Sequence, residues 1–511
     1  MENNIINDNM RNAKLNRICA VMLLFYIAIQ PVFELKWFNN GVIGEIGGFT
    51  IPTLVRFGMI AIIGVLSLFT LKFNRCFYGF ALYITVAVVY AVLHHIFCTG
   101  FNSLIPGEFG YSIVGEMFYL CRLLLPMIVI YLIYNLEIKE KYIKNVIIWV
   151  CIFSTALVVI TNITKTSDGS YTSVRILGNI FDWFINEGAF TFNQLASKGF
   201  FYSSIFSIAV VLLYSFTIYL YFTDKSEKYI LLVIAQGISL YMFGTKAATL
   251  SVIIIQVLML CVYFVCSVLK KDIKFSKRKF AIFALVIVLF GAILPYTPSL
   301  SRISFDEHYM EEIDLNDNNK DKPEIDDENE PDEKHKSDIE FIENNIKTLS
   351  IKESFLTDSY NYKYDTDFWM NIIETMPPSE RMKNRIIEQA MFERVKEINN
   401  DKMDDYFGLG YTRTTNIYNL EKDYLYQYYS VGIAGVIVFL GPYIAGLVAV
   451  IALMLIKFKE RVTIKNCSIV LGIGLTHALA LYSGNTIDNL GITILLGLMY
   501  GYVFKSIFKD N

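Results

Sequence analysis

The chain has 511 residues, 54% of them hydrophobic and 15% aromatic, with a mean hydropathy of +0.44. That is too apolar for a soluble protein of this length, and the sequence reads as an all-α polytopic membrane protein. The formal net charge of −3 says little as a total, because the charges are segregated by region and no basic domain suited to nucleic acid stands out. The 8 cysteines fall in or beside apolar stretches without zinc-ligand spacing. Neither a disulfide framework nor a zinc site is therefore expected, and no cofactor is assigned.

In chain order, Arg11, Lys14 and Arg17 precede a first apolar run that reaches Phe33 without a small-residue cleavage site. It reads as a retained signal anchor. Stretches long enough to span a bilayer recur near 17–33, 51–71, 77–98, 113–134, 144–163, 199–222, 229–245, 247–269, 279–297, 429–456, 466–482 and 486–505, about twelve helices in all. Only Gly244, Thr245 and Lys246 separate the seventh from the eighth, which suits a tight hairpin. Basic residues collect on alternate loops: Lys72 and Arg75, Lys139 to Lys144, Lys225 and Lys228, Lys270 to Lys279, and Lys457 to Lys465. By the positive-inside rule both termini are cytoplasmic. The expected division is nine transmembrane helices over 1–297, an extracellular loop over 298–428 and three transmembrane helices over 429–511.

Within the large loop, 306–340 is a run of Asp, Glu, Asn and Lys that reads as a solvated insert with too few apolar residues for a core. After Pro377-Pro378, Ser379 is placed to cap a helix whose apolar positions are Met382, Ile386, Ala390 and Ile398. This amphipathic helix is expected to lie on the membrane surface or roof a cavity. It leads into Phe407-Gly-Leu-Gly-Tyr-Thr-Arg413, where Gly408 and Gly410 allow a tight turn and a close backbone approach.

Ionisable residues at membrane depth are the second signal. Arg56, His94, His95, Glu116, Arg122, Lys198, Lys246, His477 and Asp488 all map to the outer half or near the midplane under this orientation. Each such charge costs about 2.5–3.5 kcal/mol on insertion scales, so one outward-open cavity lined by both signs is expected. Arg122, with the loop cations Arg175, Lys246, Arg302 and Arg413, suits a phosphate-bearing ligand, since guanidinium forks match phosphate oxygens. Glu421 and Asp423 are the acids nearest the glycine turn, and either can serve as general base.

Three stretches then carry a resemblance. They are Gly188-Ala-Phe-Thr-Phe-Asn193-Gln-Leu-Ala196, Phe243-Gly-Thr-Lys246-Ala-Ala-Thr-Leu250-Ser, and Arg385 with Phe407-Gly-Leu-Gly410, Asp423-Tyr-Leu and Gly432-Ile-Ala-Gly435. In order and in side of the membrane they resemble the O-antigen ligase and O-antigen polymerase superfamily, which includes capsular and teichuronic-acid polymerases of Gram-positive bacteria. The resemblance implies a membrane-embedded glycosyltransferase whose donor is an undecaprenyl-pyrophosphate-linked oligosaccharide, used without metal or nucleotide sugar. It also implies a chain-length regulator and a flippase of the same pathway as partners. The chain departs from the family where Lys246 replaces an arginine and where Asn419-Leu-Glu-Lys-Asp423 replaces a His-Asn pair.

The expected function is polymerisation of lipid-linked saccharide repeats at the outer face of the plasma membrane. Asp423 or Glu421 is the expected base; Arg122, Arg175, Lys246, Arg413, Asn193, Gly408 and Gly410 form the substrate site. A ligase handing the glycan to another acceptor, and a lipid-linked oligosaccharide flippase, are the alternatives. The topology predicts that Ser337→Cys is labelled by an impermeant thiol reagent in intact cells and Ser276→Cys is not. Outside labelling of Ser276→Cys overturns the orientation.

Overall fold

The computed structural model describes residues 2–39, 45–46, 49–70, 74–186, 188–225, 227–269, 273–317, 331–482 and 484–508. Each apolar stretch expected to span a membrane contains a helix, although those near 199–222 and 486–505 become helical only from Ser204 and Leu490. Among the described residues, 10 helices are long and apolar enough to cross one. The rough count of twelve is completed by two weaker cases. Tyr229–Phe243 has 15 residues, and Glu2–Ala28 carries Arg11, Lys14 and Arg17 before its apolar part, then continues as Gln30–Phe33. The expected hairpin is present: Gly244, at φ 66°, ends one helix, and Thr245 accepts from the Ala248 amide to cap Lys246–Phe264. Two strands of two residues each, Glu45–Ile46 and Phe49–Thr50, pair antiparallel.

The chain divides into two compact units. The first holds Met1–Ile84, Arg122–Arg302 and Pro442–Asn511. Its centre is Ser207–Thr223, buried on every side and packed by Tyr229–Phe243, Lys246–Phe264 and Ile464–Tyr482. A helix that is apolar all round belongs inside other helices. Small residues set the approach: a Cβ at Gly472 would lie 2.2 Å from the Leu212 carbonyl oxygen, and Ser215 Oγ donates to the Ser468 carbonyl at 2.7 Å.

The second unit holds Thr85–Cys121 and Ile303–Gly441. It has its own apolar core, in which Phe101, Ile342, Phe355, Trp369, Met391 and Tyr426 are buried together. Trp369 Nε1 donates to the Tyr360 carbonyl at 2.8 Å, and Arg394 grips Asp365 with two nitrogens at 2.7 and 3.2 Å. The greater part of the expected loop is thus a folded body. Pro298–Asp317 and Pro331–Asn345 are helical, so helix enters the 306–340 tract at both ends; residues 318–330 lie outside the described ones.

The expected amphipathic helix is present in a different register. Pro378–Arg381 forms a separate turn, and the helix proper is Asn384–Asn399, burying Ile387, Met391, Phe392 and Val395. The break at Met382 and Lys383 shifts the inward stripe one residue beyond the expected one. Phe392 stacks on Tyr429 at 5.0 Å, so this face packs on protein.

The glycine turn explains how that body is closed. Gly408, Gly410 and Gly432 have φ of 80°, 96° and 64°, and Gly432 interrupts the helix Asp423–Gly435. Leu409 and Gly410 amides donate to the Tyr429 and Ser430 carbonyls at 2.7 and 3.1 Å. A Cβ at Gly408 would stand 2.5 Å from the Ser430 carbonyl carbon, and one at Gly432 2.3 Å from that of Tyr406. Gly408→Ala and Gly432→Ala are therefore expected to lower thermal stability, strain alone being on the order of 1–3 kcal/mol. Gly291→Ala, where nothing lies within 4 Å, is the control; equal melting temperatures for all three variants would contradict the packing.

Candidate functional site

In the first unit, the connection between Glu140–Ile163 and Ser207–Thr223 folds onto the hairpin turn at Gly244. The Ser197 amide donates to the Met242 carbonyl at 2.7 Å, and Tyr171 OH to the Gly244 carbonyl at 2.6 Å. A Cβ at Gly244 would meet that of Ala196 at 2.6 Å. Arg302 stands over the Tyr171 ring at 4.4 Å and the Phe192 ring at 5.8 Å. Isolated bridges Asp168 to Arg175 and Gly169 to Ser197 fix the connection internally. Asn193 lies in the short helix Phe192–Leu195, held by a capping box between Thr191 and Gln194.

This assembly brings four sequence-derived residues onto linked backbone: Arg175, Asn193, Lys246 and Arg302. Arg175 and Lys246 are exposed. Lys246 opens a helix of 19 residues, so the positive end of the helix adds to its charge. Beside them lies a cavity of about 200 Å³ lined by Lys36, Trp37, Asp168, Lys198, Phe201 and Tyr202, among others. Arg122 is engaged elsewhere in the same unit, donating to the Asp488 carbonyl at 2.5 Å.

Two deep ionisable side chains of the first unit are met by nearby groups. Arg56 pairs with Glu34 at 2.5 Å and donates to Gln30 at 2.8 Å. His477 Nε2 meets Tyr500 OH at 2.8 Å. Local pairing answers the cost of burying these two groups.

In the second unit the glycine segment is organised by a buried carboxylate. Glu116 receives the Tyr411 amide at 2.8 Å, and the Thr412 amide and hydroxyl at 2.6 Å each. His94 Nε2 stands 3.1 Å from it and Nδ1 2.7 Å from the Phe407 carbonyl; a ring with a proton on both nitrogens satisfies both. Arg413 is 1% exposed. Its guanidinium lies over Phe101 at 4.2 Å and Tyr111 at 4.6 Å and donates to the Cys98, Leu409 and Glu108 carbonyls. In this arrangement Arg413 is an internal brace, and Gly408 and Gly410 serve the close approach that surrounds it.

The two sequence-derived acids have different surroundings. Glu421 is exposed and paired with Arg385 at 2.9 Å. Asp423 is wholly buried in the first turn of its helix, where a negative charge is favoured. Sequence reasoning missed Glu388, whose carboxyl accepts the Glu421 amide at 3.4 Å. Burial pushes Glu388 up to about 7; the hydrogen bond that it accepts from the Glu421 amide opposes the rise, the Glu421 charge adds to it, and Arg385 and Lys352 oppose it. Asp404, buried and bonded to Asn399, is likewise pushed up to about 6 by desolvation. The signal for Glu388 was its place beside Ile387 within the apolar stripe.

Among the described residues no cluster of His, Cys, Asp and Glu has the makings of a metal site. The molecule is thus a polytopic helical membrane protein whose first unit presents a cation-bearing loop assembly. A family profile described as "O-antigen ligase like membrane protein" matches residues 17–510, and the chain belongs to that family. Comparison with curated proteins finds no match.

The raised Glu388 carboxyl has a signed consequence. Its stabilising contribution is fully present below the ordinary glutamate value of about 4.3 and is lost as pH rises through the folded value. The stability of the wild type relative to Glu388→Gln is expected to fall between about pH 4 and pH 7. Asp404 titrates in both proteins and cancels. Parallel melting curves across that range would contradict the burial argument.

Proposed function

We propose that the protein polymerises polyprenyl-pyrophosphate-linked saccharide repeats at the outer face of the plasma membrane, with both termini cytoplasmic. Membership of the O-antigen ligase-like family makes it a membrane glycan-transfer protein in the broad sense. The observation that carries the finer reading is the loop assembly in which Arg175, Asn193, Lys246 and Arg302 are linked through Tyr171 and the Gly244 turn. Several fixed cations on one scaffold suit the pyrophosphate of a lipid-linked donor.

In the reaction, an acceptor sugar hydroxyl attacks the anomeric carbon of the donor glycan. The new glycosidic bond forms as the bond from that carbon to the pyrophosphate oxygen breaks. The leaving group takes the electron pair and departs as the lipid pyrophosphate, its charge met by Arg175, Lys246 and Arg302. The hydroxyl proton passes to a general base, for which Glu421 and Asp423 are the candidates. Of the two, Glu421 has the exposed side chain and is the one we assign, whereas Asp423 is buried.

Arg175→Ala and Lys246→Ala are each expected to reduce turnover of purified, reconstituted protein by on the order of a hundred- to a thousandfold, with insertion unchanged. Arg175→Lys restores part of the rate, since charge stays and the fork is lost. Glu421→Gln stops transfer while lipid-linked donor still binds; Asp423→Asn lowers the melting temperature as well as the rate. Wild-type rates from these variants would dismiss the assignments. Transfer of the glycan to a different acceptor, without chain growth, would make the protein a ligase.

A further inference from the structure

The cavity beside the loop assembly has a composition of its own. Its walls are three segments held by backbone bonds: the Lys36 amide donates to the Phe200 carbonyl at 2.9 Å, the Tyr202 amide to the Glu34 carbonyl at 2.8 Å, and the Lys198 amide to the Asp168 carbonyl at 3.0 Å. The site is therefore preformed by the fold. Lys36 Nζ pairs with the Asp168 carboxylate at 2.6 Å. Among the described residues no carboxylate stands within ion-pair distance of Lys198, although its side chain is half-buried. Desolvation lowers its pKa, with Lys36 acting in the same direction and Asp168 opposing. An ammonium in that setting gains from an incoming anion.

The rim is aromatic. Trp37 is 41% and Tyr202 51% exposed, and Trp37 is steadied by Phe200 at 5.1 Å. Exposed rings held beside a charged cavity offer an apolar face with polar groups next to it, which suits the C–H face and hydroxyls of a sugar. Two lysines and one aspartate leave a single positive charge, which matches one carboxylate. A pyrophosphate carries more charge, and the cations suited to it are Arg175, Lys246 and Arg302. The volume of about 200 Å³ is below the roughly 300–1,000 Å³ of drug-sized sites. It holds one ring rather than a chain.

We propose that the cavity formed by Lys36, Trp37, Asp168, Lys198 and Tyr202 binds one acidic sugar ring of the glycan. Lys198 meets the ring's carboxylate, Asp168 accepts from its hydroxyls, and Trp37 stacks on its apolar face. The inference rests on the glycan-transfer reading for its biological ligand but not for its test, because binding is measured without any transfer.

The experiment uses the full chain in lipid nanodiscs with D-glucuronate and D-glucose as probes, followed by saturation-transfer NMR and titration. Glucuronate is expected to bind and glucose to bind at least about tenfold more weakly, the worth of one charge-assisted contact. Lys198→Met is expected to abolish that preference and Lys198→Arg to retain it, while Trp37→Ala weakens both probes. Melting curves check that each variant is folded; if Lys198→Met is not, Trp37→Ala and Lys198→Arg still decide. Equal binding of the two sugars, or unchanged binding in folded Lys198→Met or Trp37→Ala, overturns the proposal. So does displacement of glucuronate by inorganic pyrophosphate at lower concentration, which would make the cavity a leaving-group site. Failure of chain growth with glucuronate binding intact would count against the polymerase reading alone.

Discussion

A carboxylate removed from water must be met by protein donors, and in the second unit that requirement falls on Glu116. It is wholly buried and draws in His94, the Tyr411 and Thr412 amides and the Thr412 hydroxyl. Those donors lie on segments remote in sequence, so satisfying one side chain fixes where the glycine segment crosses the helix Arg75–Cys98. The glycines follow from this constraint: with Gly408 and Gly432 in the left-handed region, the backbones at 406–410 and 429–432 can come close enough to bond. Arg413, stacked between Phe101 and Tyr111, completes the brace. A half-satisfied network of this kind would be worse than an apolar core.

The first unit meets the same demand differently. Its irregular connection between two spanning helices exchanges backbone bonds with itself and with the Met242–Gly244 turn. Non-helical backbone near a membrane is tolerated where protein covers its polar groups. Once those bonds are made, Arg175 and Lys246 are exposed at fixed places on a rigid scaffold. Pre-organisation of that sort lets charges act on a leaving group without first having to be ordered.

The spanning helices were legible in the sequence because each apolar stretch is bounded by charge or by a Gly turn, as at Gly244. The close approach at Gly408 and Gly410 was legible for the same kind of reason, since only glycine suits that backbone. The register of Asn384–Asn399 was not. A capping signal at Ser379 and apolar residues at Met382 and Ile386 pointed to a continuous helix, and nothing local announces the break at Met382 and Lys383. Arg413 read as a loop cation because the rings that sandwich it lie far away in the chain. Pairing of Glu116 with Tyr411 and Thr412, and of Lys36 with Asp168, is set by tertiary structure. The raised carboxyl of Glu388 likewise depends on the second unit's core, which the acidic composition of 306–340 obscured.

The central claim is that the cations of the first unit serve a lipid pyrophosphate leaving group in glycosidic bond formation. The most direct measurement counts lipid pyrophosphate released against glycosidic bonds formed, with purified protein and lipid-linked repeats in liposomes. The account predicts one lipid pyrophosphate released for each new bond, with no nucleotide sugar added. Movement of intact lipid-linked repeats across the bilayer without release, or bond formation only when a nucleotide sugar is supplied, would contradict it.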